Sequence, residues 1–223
     1  DLSLARPAES SFVGFQNYIK TLSDSRFLNS LRVTVIYAAV VVLLTIVLGL
    51  IAAITLNQKG IGGRPLVRGG YAIRALLLVP GIMAPAATGV LFGVFLFDYD
   101  FGVLNHYLNA MGIGRVPWLL HPALALLCVA FVQTWVRFPY TMLVFDAALR
   151  SIPDSYYEAA RLDGATVPKQ VLYLTLPLLK PQILFAFVFQ VFFAFNQFDI
   201  AFMLTGGGPG DSTRIVTLYV MDE

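Results

Sequence analysis

Several side chains able to recognise a polar solute interrupt otherwise apolar sequence: Gln133, Trp135, Arg137, Tyr140, Asp146, Gln190, Asn196, Gln197 and Asp199. Amides hydrogen-bond hydroxyl groups, aromatic faces stack on sugar rings, and a charge set among apolar residues marks a functional position by default. Gln133, Trp135, Tyr140, Asn196, Gln197 and Asp199 are therefore candidate contacts along a solute path. Asn196, Gln197 and Asp199 are preferred, because these polar groups lie close together in a Phe-rich run. Each charge also has a plainer reading: Arg137 paired with an acid on a partner, Asp146 at the cytoplasmic interface, and Asp199 in an outer gate.

Bond-making chemistry has no comparable candidate. His106 and His121 lack Cys, Asp or Glu partners at metal-ligand spacing, so no metal ligand is assigned. No Ser/His/Asp set exists either, and no catalytic residue is assigned. The glycine-rich stretch LTGGGPGDSTRI superficially suggests a phosphate loop, but Asp211 follows Gly210 where a lysine would be needed to reach phosphates. No cofactor is expected in this chain; if nucleotide energy is used, ATP and Mg must bind another chain.

The elements holding these residues follow from composition. Of 223 residues, 58% are hydrophobic and 13% charged, whereas a soluble domain carries about 25% charged residues. Mean hydropathy is +0.76. The uncharged runs Val33–Gln58, Ala75–Phe97, Val116–Val136 and Pro181–Phe198 can each cross a hydrocarbon core of about 30 Å as helix. The fold class expected is all-α, a polytopic transmembrane helical bundle in the lipid bilayer. Several such runs, the first far from the start, exclude a signal peptide. The chain opens on Asp1 rather than Met, so further spans are expected beyond both ends. A net charge of +2 gives no reason to expect nucleic acid. Cys128, the lone cysteine, reads as a small buried thiol.

Lys59, Arg64, Arg68 and Arg74 crowd the first connection without an acid, which places it in the cytoplasm by the positive-inside rule. The loop Asp98–Pro117 then falls outside, and the segment 150–182 falls inside again with Arg150, Arg161, Lys169 and Lys180. The expected organisation is an external segment 1–32 with an interfacial helix, a transmembrane domain 33–204, and an external Gly-rich loop 205–223 leading to a further span. Phe15, Tyr18, Ile19 and Leu22 supply the apolar face of the interfacial helix. Pro80, Gly81, Pro85, Gly89 and Gly93 punctuate the second run, where they serve either close packing or a bend lining a pathway.

Segment 150–182 is long for a link between packed helices. Pro153 suits a first turn, Asp154 or Ser155 can cap, and Glu158 lies early, where a helix dipole favours acid. Gly164 can take the left-handed conformation that ends the helix. Thr166 then caps a second helix with Pro168 in its first turn, and Pro177 and Pro181 punctuate the return to the next span. Helix, glycine turn, helix describes either a rigid linker or a docking knob, and length favours docking.

Glu158-Ala159-Ala160, three residues, Gly164, nine residues, Leu174, one residue, then Leu176-Pro177 resembles the EAA loop of ABC importer permeases. Leu174 stands where the family usually has isoleucine, and Pro168 where an aromatic is common. FVGFQNYIKTLSDSRFLNSL and FDIAFMLTGGGPGDST are similar to segments of the carbohydrate-type permeases that serve maltose and glycerol-phosphate importers. The resemblance implies the ABC importer permease fold, with these runs as spans two to five of six, in a bacterial or archaeal plasma membrane. It implies a permease for a sugar, oligosaccharide, polyol or glycerol-phosphate compound that is not itself an enzyme. Implied partners are a second homologous permease, two cytoplasmic ATPase subunits and an external solute-binding protein. It also implies ATPase coupling through Glu158, Ala159, Ala160, Gly164, Leu174 and Pro177. The alternative is a secondary transporter driven by an ion gradient, for which the Pro/Gly-rich second run could serve.

Overall fold

The computed structural model describes residues 14–57 and 70–222, and every regular element among them is helical. The connection carrying Lys59, Arg64 and Arg68 lies outside the described residues, as does the segment before Gly14. Helix α1 (Gln16–Ser23) exposes Phe15, Tyr18, Ile19 and Leu22, an apolar surface suited to a membrane interface. Asp24 ends it and caps the next helix, its carboxylate accepting the Arg26 N–H at 2.9 Å.

Helix α2 (Ser25–Asn57) runs for 33 residues, about 50 Å at 1.5 Å per residue. It begins ahead of the expected span because Arg26, Asn29, Ser30 and Arg32 continue the helix beyond its apolar stretch. The second run is broken: α3 (Gly70–Ile82) and α4 (Pro85–Leu91), the latter followed by a π-helical turn (Phe92–Leu96), bend by 93°. Pro85 has no N–H to give the carbonyl of Gly81, so the ladder fails there. That carbonyl is not abandoned in an apolar setting, since the Tyr140 hydroxyl donates to it at 2.8 Å.

Helix α5 (Val103–Ala110) lies in the next connection. Helix α6 (Pro122–Ser151) corrects the expected span Val116–Val136. Residues 116–121 turn outside the helix, and the helix continues well past Val136 through Arg137 and Asp146. Those charges ended the apolar run in the sequence, yet neither ends the helix, because tertiary partners hold both.

Beyond α7 (Asp154–Leu162), helical structure is continuous from Val167 to Phe195 through α8 (Val167–Gln170), a π-helical turn (Val171–Thr175) and α9 (Leu176–Phe195). The expected punctuation at Pro177 and Pro181 is therefore absent. Pro177 falls just after the π turn, where a register shift already replaces the ordinary i→i−4 bonds, so its missing N–H is absorbed. Helices α10 (Asp199–Thr205) and α11 (Val216–Asp222) complete the described chain. Helices α2, α6 and the Val167–Phe195 run are long and apolar enough to cross a membrane, and the bent pair adds a fourth candidate.

Helices α2 and α6 meet so closely that a Cβ at Gly49 would lie 2.9 Å from Thr141 Cβ. One core forms around Tyr37, Val41, Val129, Val132, Ile200 and Leu218. Another, toward the opposite end of α2, gathers Ala53, Met142, Phe145, Leu149 and Leu179. Leu43, Ile51, Leu184 and Val188 remain exposed, as helices facing lipid require.

Candidate functional site

The long polar segment folds as a projecting helix. Pro153 occupies the cap of α7, and neither Asp154 nor Ser155 caps it; Asp154 instead supplies first-turn acid. Gly164 ends the helix at φ +75°, with the Ala165 N–H bonded to Ala160 O at 2.9 Å and the Gly164 N–H to Arg161 O at 3.0 Å. This pair of bonds is the Schellman termination, which requires a left-handed residue where Gly164 stands. Thr166 takes the extended cap conformation before α8, though its hydroxyl makes no cap bond.

No residue of α7 is buried. Glu158 and Ala159 are exposed, Ala160 is half-buried, and the apolar side chains of Tyr156 and Leu162 face outward at 52% and 90% exposure. Leu174 lies in the π turn, half-buried, and Pro177 is exposed at the start of α9. Behind α7 a cleft of about 510 Å³ opens against Ile54, Asn57, Leu149, Gln170 and Thr175. The Tyr157 hydroxyl, 3.1 Å from that of Thr175, ties the helix across this region. A helix with no buried residue and with Tyr156 and Leu162 facing outward suits a surface that another protein covers.

The candidate solute contacts separate into several environments. Gln133 is buried on α6, and its Oε1 has no hydrogen-bond partner among the described residues. Trp135 lies on another face of α6, its ring 5.0 Å from Phe92 in an aromatic group with Phe97 and Phe131. Tyr140 is 46% exposed, with its hydroxyl committed to Gly81. Asn196, Gln197 and Asp199 do not share a Phe-rich helix as the sequence suggested; Asn196 and Gln197 fall in the break between α9 and α10, and Asp199 opens α10. There Asn196 is exposed and donates to Phe192 O at 2.7 Å, and Asp199 is exposed in the first turn of α10. Gln197 is buried, its Nε2 has no partner among the described residues, and its carbonyl accepts the Thr217 hydroxyl. Gln190 reaches across from α9 to give Thr141 a 2.7 Å hydrogen bond.

Residues 45–222 match the family described as binding-protein-dependent transport system inner membrane component. The chain belongs to that family. It is 35% identical over 214 residues to the trehalose/maltose transport system permease protein MalF of Thermococcus litoralis, spanning 96% of this chain and 70% of that protein. It is 34% identical over 219 residues to the sulfoquinovosyl glycerol transport system permease protein SmoG of Agrobacterium fabrum, spanning 98% and 68%. Among solved structures, a bacterial ABC transporter that imports the acidic polysaccharide alginate matches with TM-score 0.82 at 20% identity, over 95% of this chain and 72% of that one. The fold is thus the ABC importer permease fold, and the chain is a multi-pass inner-membrane permease.

Two hubs of this permease go beyond the sequence reading, which named Asp146 by position without its distant partners and did not name Asn105. Asp146, buried on α6, accepts from Arg74 Nε at 3.0 Å and Asn57 Nδ2 at 2.8 Å through one oxygen, and pairs with Arg150 Nε at 3.0 Å through the other. Arg74 also donates to Leu56 O at 3.1 Å, so the ends of α2, α3 and α6 are joined next to the α7 cleft. Only Arg150, one helical turn from Asp146, was legible as a partner. Asn105 organises the connection before α6: its Oδ1 accepts from Val116 N–H and Trp118 Nε1, and its Nδ2 donates to Tyr99 O and Val116 O. Isolated in sequence, this asparagine gave no signal.

Proposed function

We propose that the chain lines the translocation path of an ATP-driven importer for a sugar, oligosaccharide or related polyol or glycerol-phosphate compound. A second permease, a pair of ATPase subunits carrying ATP and Mg, and an external binding protein complete the assembly. Relatives described as trehalose/maltose, sulfoquinovosyl glycerol and sn-glycerol-3-phosphate permeases support this solute class. Helix α7 is the point where the ATPase subunits push. The observation that carries this reading is α7 itself: the Glu158-Ala159-Ala160 face stands clear of the bundle with a glycine-terminated end and no buried residue. Small alanines allow close approach, and Glu158 offers a charge to the rim of the docking cleft.

A decisive experiment reconstitutes the full importer with its binding protein and compares wild type with Gly164→Val. Valine at φ +75° cannot hold the turn without strain. The variant is expected to insert normally and to lose both uptake and binding-protein-stimulated ATP hydrolysis; normal values for both would remove the docking role. Uptake that persists after ATP depletion would instead support an ion-gradient transporter. A thermal-shift screen of the binding protein against candidate solutes identifies the class carried.

A further inference from the structure

Arg137 sits near the middle of α6, within a helix long and apolar enough to cross a membrane. Guanidinium remains charged under all ordinary conditions and presents a fork of N–H donors that matches oxyanions. The described residues give it no ion pair and no hydrogen-bond acceptor. The face of Phe193 on α9 lies against it, with the guanidinium carbon 3.5 Å from the ring centroid. A cation–π contact holds the plane of the group in place and leaves the donors at its edge free.

The surroundings are polar beyond what packing requires. Gln133 lies one helical turn before Arg137, and Gln190 lies one turn before Phe193; both are more than nine-tenths buried, and each has a carbonyl oxygen without a partner among the described residues. Tyr37, fully buried on α2, has a hydroxyl without a partner among the described residues and lies close enough to interact electrostatically with Arg137. Tyr140 also neighbours Arg137, but its hydroxyl already serves Gly81. Arg137 and Phe193 are half-buried rather than enclosed, so an incoming group can approach the fork from the side of the subunit.

We infer that Arg137, held flat by Phe193, binds the anionic substituent of the transported solute, a carboxylate, sulfonate or phosphate on a sugar or glycerol skeleton. This deepens the importer reading above and rests on it. Charge-assisted pairing to a guanidinium fork discriminates strongly, because a neutral analogue leaves the donors unsatisfied.

The test uses the whole importer with its binding protein in proteoliposomes, with sn-glycerol 3-phosphate and an alginate oligosaccharide as anionic probes and maltose as the neutral one. Wild type is expected to take up at least one anionic probe in preference to maltose. Arg137→Gln should lower that uptake by about tenfold or more, the scale of one charged hydrogen-bonding partner, while Arg137→Lys restores part of it. Co-purification of the second permease should stay at the wild-type level in both variants. The proposal is overturned if wild type carries neither anionic probe, or if Arg137→Gln carries the anionic probe at the wild-type rate. It is equally overturned if Arg137→Gln loses the second permease on purification, which assigns the guanidinium to an acid of that subunit. Failure of the importer reading has a different signature, the absence of ATP-dependent uptake of any solute by wild type.

Discussion

At Tyr140 one hydroxyl compensates for one missing hydrogen. Pro85 leaves the Gly81 carbonyl without its helical donor, and Tyr140 supplies another across the α3–α6 contact. Tyr140→Phe keeps the ring and removes only the donor, so a loss of about 1–3 kcal/mol is expected, read as a lower unfolding temperature in detergent. If solute affinity fell with no change in thermal stability, the hydroxyl would belong to the solute path instead. Asp146 carries more. Substituting alanine leaves the nearly buried Arg74 side chain, 14% exposed, without its carboxylate. About 3 kcal/mol is expected from such a broken pair, and Asp146→Asn should lose less because it keeps an acceptor for Arg74 and Asn57. Comparing the melting temperatures of the two variants checks the order.

For helices, the informative comparison is between elements whose ends are written locally and those whose ends are not. Helix α7 belongs to the first kind: its acid, alanines and glycine lie in one short segment, and its termination follows from Gly164 alone. No atom lies within 4 Å of a Cβ built at Gly164, so Gly164→Ala is strained only through its backbone. A cost of about 1–2 kcal/mol confined to the turn is expected. Gly164→Ala should therefore retain more coupled ATP hydrolysis than Gly164→Val, measured as stimulation by the binding protein. Helix α6 belongs to the second kind. Its sequence shows an apolar run ending at Val136, but Arg137 is taken up by Phe193 and Asp146 by Arg74, both distant in sequence. The same holds for Asn105, whose hub binds Trp118 and Val116. Asn105→Ala should loosen the whole connection between α5 and α6, raising its amide hydrogen exchange while leaving the α7 region unchanged.

Across the whole molecule, the segment after α10 returns to the start of α2. Thr34 Oγ1 accepts the Val216 N–H at 2.9 Å, Asn29 donates to Asp211 O at 3.2 Å, and the Tyr219 hydroxyl donates to Asp24 at 2.6 Å. Tyr219, then the Arg26 backbone N–H, hold the Asp24 carboxyl below its ordinary value of 3.8. A lowered carboxylate pKa stabilises the fold fully above that ordinary value, and the contribution disappears as pH falls through the lowered one. Tyr219→Phe is expected to raise the Asp24 pKa toward 3.8, measured by NMR titration, and to remove at neutral pH the stability that the lowered pKa contributes, with no such loss below the lowered value.

The sequence by itself determined the solvent, the helical class, the approximate spans and the projecting α7 segment, because hydrophobic runs and a glycine turn act over a few neighbouring residues. Tertiary structure alone decided the 93° break at Pro85, the length of α6, the continuity of α8 into α9, and the pairing of Arg74 with Asp146. Each of these depends on whether a charge or an orphaned backbone group finds a partner from another helix. Arg74 and Asp146 are 72 residues apart in sequence, and local pattern contains no record of such a meeting. Arg137 stands at that same boundary: its position was legible as a charge in a span, but its ring support and free donors emerged only when α6 and α9 came together.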